Sequence, residues 1–145
     1  MADVERSALV NYSALQMFNL VNDVARYSEF LPGCVSSIVL EQSDDLMVAL
    51  MELKKGPVAQ TFTTRNTLVI GQSISIELQD GPFEYLHGTW TFKALNDVAS
   101  KVELELSFKF SNKLAAVAFS GMFNTLVSKL VDSFVTRAAV IYGKY

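Results

Sequence analysis

The segment from residue 118 to residue 135, AFSGMFNTLVSKLVDSFV, carries apolar side chains at the spacing of an α-helix. They form two adjacent rows and the opposite side is polar, which predicts an amphipathic helix from about Lys113 to Tyr142. A membrane span needs about 18 residues with few charges, whereas Lys129 and Asp132 lie in mid-segment. We therefore expect this helix to pack on protein. The two rows are Met122, Leu126, Leu130, Phe134 and Ala138, and Phe119, Phe123, Val127, Val131, Val135 and Ala139.

Between residue 34 and about residue 111 the hydrophobic period becomes two. In residues 101–110, for example, every even position is apolar and every odd position is charged or polar. Such alternation is typical of strands that bury one face. The turn-forming sequences SDD, KKGP, IGQ, DGP and NDVAS separate about six strands of this kind, so we predict an antiparallel meander with one apolar face.

The start of the chain predicts one more strand, in residues 3–11, followed by a short helix. Ser13 and Gln16 have the spacing of a capping box, which predicts that this helix begins there and continues to about Asp23. Pro32 disfavours helical geometry at the residue before it, so the region holds one or two short helices. The expected buried face of the first helix is Leu15, Phe18, Leu20 and Val21.

The element order is therefore strand, one or two short helices, about six strands and one long helix, which is an α+β organisation. The long C-terminal helix, about 45 Å in length, is the element that can cover the single apolar face of the sheet. Because rows at a spacing of four drift around a helix, a curved sheet follows them better than a flat one. With 145 residues, of which 50 % are hydrophobic, the chain fits one domain, residues 1–145, with a sizeable core.

Charge and composition narrow the classes of partner. The net charge of −3 argues against a general affinity for phosphate backbones, and we expect no DNA partner. The first residues do not combine a basic segment with a short apolar stretch, so we expect a cytoplasmic protein. One cysteine, Cys34, and one histidine, His87, are too few for a structural zinc site, and we expect no metal.

Residue types that carry enzyme chemistry are sparse. Alternation places His87 on the solvent side of its strand, opposite Trp90 and Phe92. Cys34 has no base near it in the sequence that would promote its thiolate. No glycine-rich phosphate loop follows a predicted strand. We therefore expect no catalytic residues and no enzymatic activity, and an enzyme is the weaker alternative.

Three segments together resemble one known family. They are VNDVARYSEFLPGC (21–34), DGPFEYLHGTWTF (80–92) and MFNTLVSKLVDSFVTRAAVIYG (122–143). The likeness is to the helix-grip superfamily with START-like and polyketide cyclase-like folds, and within it to the coenzyme Q-binding proteins and the ribosome association toxins. Ser28 stands where the family pattern often has proline. The resemblance implies a START-like fold, in which a curved antiparallel sheet of about seven strands wraps around the C-terminal helix.

Two alternative functions follow from the resemblance. In the first, the protein binds ubiquinone or a related polyisoprenoid lipid between sheet and helix and supports respiratory quinone function, and it requires no cofactor. In the second, it is a toxin that binds the large (50S) ribosomal subunit, blocks its joining with the small subunit and inhibits translation initiation. The acidic composition and the scattered lysines and arginines favour the first function, because contact with ribosomal RNA normally uses clustered positive charge. We expect at most peripheral membrane contact, and the sequence does not indicate an oligomeric state.

Large apolar side chains are the expected lining of a ligand cavity. Ten phenylalanines, five tyrosines and five methionines are many for a small domain, although each one taken singly fits an ordinary core. Tyr27, Thr64, Arg65 and Tyr85 are candidates for polar groups at the mouth of the cavity. Gly121, inside the long helix, is expected to allow close packing on the sheet, with room for a ligand or a bend as alternatives. The candidate lining residues are Phe62, Trp90, Phe92, Leu106, Phe108, Met122, Phe123, Leu126 and Leu130.

Overall fold

The computed structural model describes residues 3–143. Strand, short helices, six further strands and a long helix follow one another as the sequence predicts. The elements in chain order are β1 (Val4–Val10), α1 (Ala14–Asn22), a 3₁₀ helix (Val24–Glu29), β2 (Cys34–Gln42), β3 (Leu46–Lys55), β4 (Val58–Val69), β5 (Ser73–Asp80), β6 (Phe83–Asn96), β7 (Ala99–Phe110) and α2 (Lys113–Tyr142).

The seven strands form one antiparallel sheet in the order β1-β7-β6-β5-β4-β3-β2. From β2 to β7 each strand pairs with the next one along the chain, as expected for a meander. Strand β1 instead pairs with β7, so that Val10 lies opposite Ser100. The sheet is curved and holds α2 against its inner face, which confirms the predicted helix-grip fold.

Helix α1 begins at the predicted capping box. The Ser13 hydroxyl accepts a hydrogen bond from the Gln16 backbone N–H at 3.1 Å, and the Gln16 side chain accepts one from the Ser13 N–H at 2.8 Å. The predicted buried face is partly wrong, because Leu15 is 50 % exposed and Met17 is fully buried. Met17 shares the face of Phe18 and Leu20, whereas Leu15 lies on the opposite side of this short helix.

Helix α2 covers the inner face of the sheet with its two apolar rows. Its N-terminus is capped by Asn112, whose side chain accepts a hydrogen bond from the Ala115 N–H at 2.8 Å. By length and composition alone α2 is long and apolar enough to cross a membrane. In the structure, however, the rows are packed inward. The row residues that are buried are Met122, Phe123, Leu126, Val127, Val131, Phe134 and Ala138.

Gly121 does not have the role that the sequence suggested. It lies on the exposed side of α2, and a Cβ atom placed there would meet no other atom within 4 Å. The expected close packing of this glycine on the sheet is therefore wrong. Its carbonyl oxygen accepts a hydrogen bond from the Thr125 hydroxyl at 2.8 Å, which adds to the local helical bonding.

Aromatic side chains form two clusters along α2. Phe123 is the centre of the first, with its ring centroid 4.8 to 6.1 Å from the rings of Phe62, Phe83, Phe108 and Phe110. Phe134 is the centre of the second, with its centroid 5.3 to 5.4 Å from the rings of Tyr27, Phe30 and Trp90. Because the two centres are three helical turns apart, the space between them is covered by the smaller side chains of the helix.

Two tyrosines join the C-terminal end of α2 to the residues around the start of α1. The Tyr12 hydroxyl donates a hydrogen bond to the Gly143 carbonyl at 2.8 Å, and the Tyr142 hydroxyl donates one to the Gln16 carbonyl at 2.9 Å. The two tyrosine rings lie 6.0 Å apart. These contacts attach the last turn of α2 to the beginning of α1.

Candidate functional site

A cavity of about 90 Å³ lies between the sheet and α2, in the space between the two aromatic clusters. Strands β3 to β7 supply one wall, α2 supplies the opposite wall, and the 3₁₀ helix and the residues after it close one side. Leu126 and Leu130 are the helix residues that cover the space between Phe123 and Phe134. The cavity therefore lies between the sheet and the helix that the sheet holds.

Six of the nine candidate lining residues lie in the wall of this cavity. The other three are placed elsewhere in the core. Phe92 packs against Phe18, with ring centroids 5.8 Å apart, and Phe108 packs behind Phe123 at 4.8 Å. Met122 is buried one turn before Leu126 and outside the wall. The residues that do line the cavity are Phe62, Trp90, Leu106, Phe123, Leu126 and Leu130.

The error at Met122 has a geometric cause. A row at a spacing of four rotates by about 40° per step, so a residue at one end of the row no longer faces the same wall as the others. The actual lining on α2 consists of residues 123, 126, 127, 130 and 134, which come from both rows. Sequence reasoning also missed lining residues on other elements, including Leu31, Met51 and Asn66.

Polar groups reach the cavity from three residues besides the indole of Trp90: Tyr27, Thr64 and Asn66. The Tyr27 hydroxyl donates a hydrogen bond to the Val21 carbonyl oxygen, and burial raises the pKa of this phenol far above its usual value. Tyr27 is therefore a neutral, anchored part of the wall. Asn66 is only 8 % exposed, and its side-chain oxygen Oδ1 has no hydrogen-bond partner among residues 3–143.

Two of the candidate mouth residues, Arg65 and Tyr85, do not line the cavity. Arg65 is exposed and, by the alternation of β4, points away from the face that carries Thr64 and Asn66. Tyr85 is 41 % exposed and stacks on His87 with ring centroids 5.6 Å apart. His87 is exposed, as the alternation of β6 predicts.

Lysines on the outer side of the sheet are matched by carboxylates. Lys93 and Lys101 both contact Glu103, at 3.1 and 3.5 Å, and Lys109 contacts Glu84 at 3.0 Å. The hydrogen bond from Lys93 holds the pKa of Glu103 below its usual value. These lysines therefore add little net positive charge to the outer face.

The groups that could support catalysis or metal binding do not converge. Cys34 is buried, and this burial raises the pKa of its thiol, which makes it a poor nucleophile. Within residues 3–143 no three side chains of the His, Cys, Asp or Glu type come together as metal ligands. The cavity wall is mostly apolar, and among residues 3–143 its lining includes no histidine, aspartate, glutamate or lysine.

Comparison with known proteins identifies relatives over nearly the full chain. Residues 10–135 match the family described as polyketide cyclase/dehydrase and lipid transport. The ribosome association toxin RatA of Vibrio cholerae is 54 % identical over 144 residues, which cover 99 % of this chain and 100 % of the toxin. The mitochondrial coenzyme Q-binding protein COQ10 of Drosophila melanogaster is 27 % identical over 134 residues, which cover 90 % of this chain and 55 % of that protein.

Among solved structures, the Zhui aromatase/cyclase from Streptomyces sp. R1128 superposes with a TM-score of 0.81. The match covers 98 % of each chain at 16 % sequence identity. At this level of identity the likeness concerns the fold alone.

Proposed function

The chain belongs to the polyketide cyclase/dehydrase and lipid transport family, and within it to the family of the ribosome association toxins, and we propose that it acts as such a toxin. In this proposal the protein binds the large ribosomal subunit and prevents it from joining the small subunit, so that translation initiation is inhibited. The observation that carries the proposal is the 54 % identity with the Vibrio cholerae toxin, which extends over the whole of that relative. Because its partner is the ribosome, the proposed location of the protein is the cytoplasm.

This proposal reverses the order of preference that composition suggested. Net charge is a property of the whole surface, whereas a binding site for a ribosomal subunit occupies only part of it. The 54 % identity with a toxin therefore supports ribosome binding more strongly than the net charge of −3 argues against it. Neither of the two curated relatives is named as an enzyme, and we extend the proposal to a non-enzymatic mode of action.

The size of the cavity also supports a function that does not depend on a large enclosed ligand. A cavity of about 150 Å³ is known to hold one benzene molecule, and the cavity here is about 90 Å³. A quinone ring with its prenyl tail would require α2 to move away from the sheet. Binding through the surface requires no such movement.

Reassociation of purified ribosomal subunits tests the proposal. Large and small subunits are mixed with the protein and separated on a density gradient. We expect the protein to sediment with the large subunit and the joined ribosomes to decrease. Because neutralised phosphates release counterions, the association should weaken steeply as salt is raised if ribosomal RNA forms the contact. Unchanged joining at low salt, with the protein remaining at the top of the gradient, would contradict the proposal.

Binding of a hydrophobic small molecule in the cavity, with ubiquinone as the expected type of ligand, is the second candidate function. It is supported by the apolar wall around Trp90 and Leu126 and, more distantly, by the 27 % identity with COQ10. Mass spectrometry of lipids extracted from protein purified under native conditions tests it. A quinone recovered in stoichiometric amount is the expected result, and protein free of any lipid that also retains none when exposed to quinone would remove this candidate.

A further inference from the structure

Asn66 is a polar residue in a mostly apolar wall. The alternation of β4 points Phe62, Thr64, Asn66 and Leu68 toward the inside of the fold, and the first three of these line the cavity. Opposite Asn66 on the neighbouring strands lie Met47 and Ile76, neither of which offers a side-chain hydrogen bond. The amide is therefore held among hydrocarbon side chains.

Its carbonyl oxygen is also left without a partner. Asn66 is 8 % exposed, and Oδ1 makes no hydrogen bond within residues 3–143. A buried polar atom without a hydrogen bond lowers stability, and the great majority of buried polar atoms in proteins have a partner. A leucine at this position would extend the apolar wall without that penalty. The asparagine is thus difficult to explain as a packing residue.

The protein itself supplies few alternatives. The Tyr27 hydroxyl already donates a hydrogen bond to the Val21 carbonyl oxygen. The remaining polar side chain in the wall near Asn66 is that of Thr64, which lies on the same strand as Asn66. A buried water molecule normally needs two to four polar partners, whereas most residues of this wall are apolar. A partner that brings its own apolar body and one polar group fits this environment better than water does.

We propose that Asn66 is the polar anchor of the cavity, and that the cavity takes a compact apolar group, about the size of one ring, that carries a single hydroxyl or carbonyl. The inference rests on the second candidate function and specifies its ligand class. An amide can donate from its nitrogen or accept at its oxygen by turning about its terminal bond, so it serves both kinds of polar group. Because the cavity volume of about 90 Å³ is below the roughly 150 Å³ that holds one benzene, even a single ring requires a small outward movement of α2, so the bound group must be compact.

Phenol and toluene are the probes that test this inference, since they have similar shapes and differ in one hydroxyl. Trp90 is the only tryptophan of the chain and lies in the wall, so its fluorescence, excited at the red edge of its absorption, reports occupancy. Each probe is titrated into the unchanged protein, into Asn66→Leu and into the control Thr67→Val, which changes an exposed residue on the outer face of the same strand. The ratio of the two affinities within one variant is the measured quantity. Comparing this ratio between variants cancels the difference in hydration between the probes.

We expect Asn66→Leu to shift the ratio toward toluene by roughly five- to tenfold, the range that corresponds to the loss of one hydrogen bond. Thr67→Val should leave the ratio nearly unchanged, since Thr67 does not line the cavity. If Asn66→Leu folds poorly, the smaller Asn66→Ala is used in the same comparison, because it introduces no new volume. Asn66→Leu should still sediment with the large ribosomal subunit, since Asn66 is buried.

Two results would overturn the inference. If both probes bind and the ratio is the same in Asn66→Leu as in the unchanged protein, the cavity is a ligand site but Asn66 does not anchor the ligand. If neither probe alters Trp90 fluorescence in the unchanged protein, the second candidate function fails together with the inference. Neither result bears on the ribosomal proposal, which is tested by subunit joining alone.

Discussion

Gly88 on β6 lies directly against the backbone carbonyl of Glu105 on β7. A Cβ atom at Gly88 would stand 2.3 Å from that oxygen and 2.8 Å from Cδ1 of Leu106. Leu106 is paired with Gly88 and forms part of the cavity wall. Because Gly88 has no side chain, the Leu106 side chain can lie over it on the inner face of the sheet, below α2.

Replacement of Gly88 by alanine should destabilise the protein by about 1 to 3 kcal/mol, because the backbone oxygen of Glu105 cannot move aside without distorting the strand pair. Gly121→Ala is the matched control. It adds the same methyl group at an exposed helical position with open space around it, and should stabilise by about 0.5 to 1 kcal/mol. Urea unfolding measures both values. Equal stability of the two variants would contradict the proposed contact.

Phe123 joins α2 to the inner face of the sheet through four aromatic contacts. Phe123→Ala should lower the free energy of unfolding by about 3 to 5 kcal/mol, since it removes a large side chain from a packed cluster. Leu114→Ala, on the same helix but 79 % exposed, should change it by no more than about 0.5 kcal/mol. Similar losses in both variants would mean that the helix is stabilised by its propensity and not by this cluster.

Leu126→Trp tests whether the cavity is space that a side chain can fill. If it is, the indole occupies the volume and the melting temperature remains unchanged or rises, while toluene no longer raises that temperature. In a core that is already full, the added volume should instead cost about 1 to 3 kcal/mol. Differential scanning calorimetry with and without toluene separates the two cases. A destabilised variant of a parent that binds no probe would end the cavity hypothesis.

Glu29 and Arg137 connect the 3₁₀ helix to α2 at 2.6 Å, and Arg137 also lies over the ring of Phe30 at 4.9 Å. The hydrogen bond from Arg137 lowers the pKa of Glu29 from its ordinary value of 4.5. A carboxyl whose pKa is lower in the folded state adds stability above its unfolded pKa and loses it as the pH falls through the folded one. The stability due to this pair is therefore present at neutral pH and lost in acid.

Glu29→Gln should accordingly melt at a lower temperature than the unchanged protein near pH 7, and the difference should shrink as the pH falls below about 4. Glu77→Gln is the control, since Glu77 takes part in no ion pair within residues 3–143. Melting curves followed by circular dichroism across this pH range give the comparison. A difference that stays constant with pH would show that the loss is one of packing.

The sequence was sufficient for the elements and their order because each of them has a strong local signal. Ser13 and Gln16 define the start of α1, and the turns define a meander whose strands pair with their neighbours. The buried face of α1 could not be predicted in full, since a helix of nine residues has too few turns for its apolar pattern to distinguish Leu15 from Met17.

The lining of the cavity could be predicted only in part. Whether an inward-facing residue lines the cavity depends on which element packs over it. This is a tertiary property, and the alternation of residues along a strand does not predict it. Thr64, Arg65 and Asn66 stand in a run of polar residues on β4, so neither face of that strand looked apolar. The burial of Asn66 becomes evident only when Met47 and Ile76 are placed beside it.

The pairing of β1 with β7 implies an order of folding. Strands β2 to β7 form through short turns, whereas Val10 meets Ser100 only after the chain between them has come together. Closing a loop costs about 0.6 kcal/mol more for each doubling of its length, so this pairing carries the largest entropic cost in the sheet. We therefore expect the meander to assemble first and β1 to join late. Amide hydrogens of β1 should then exchange with solvent sooner than those of the central strands.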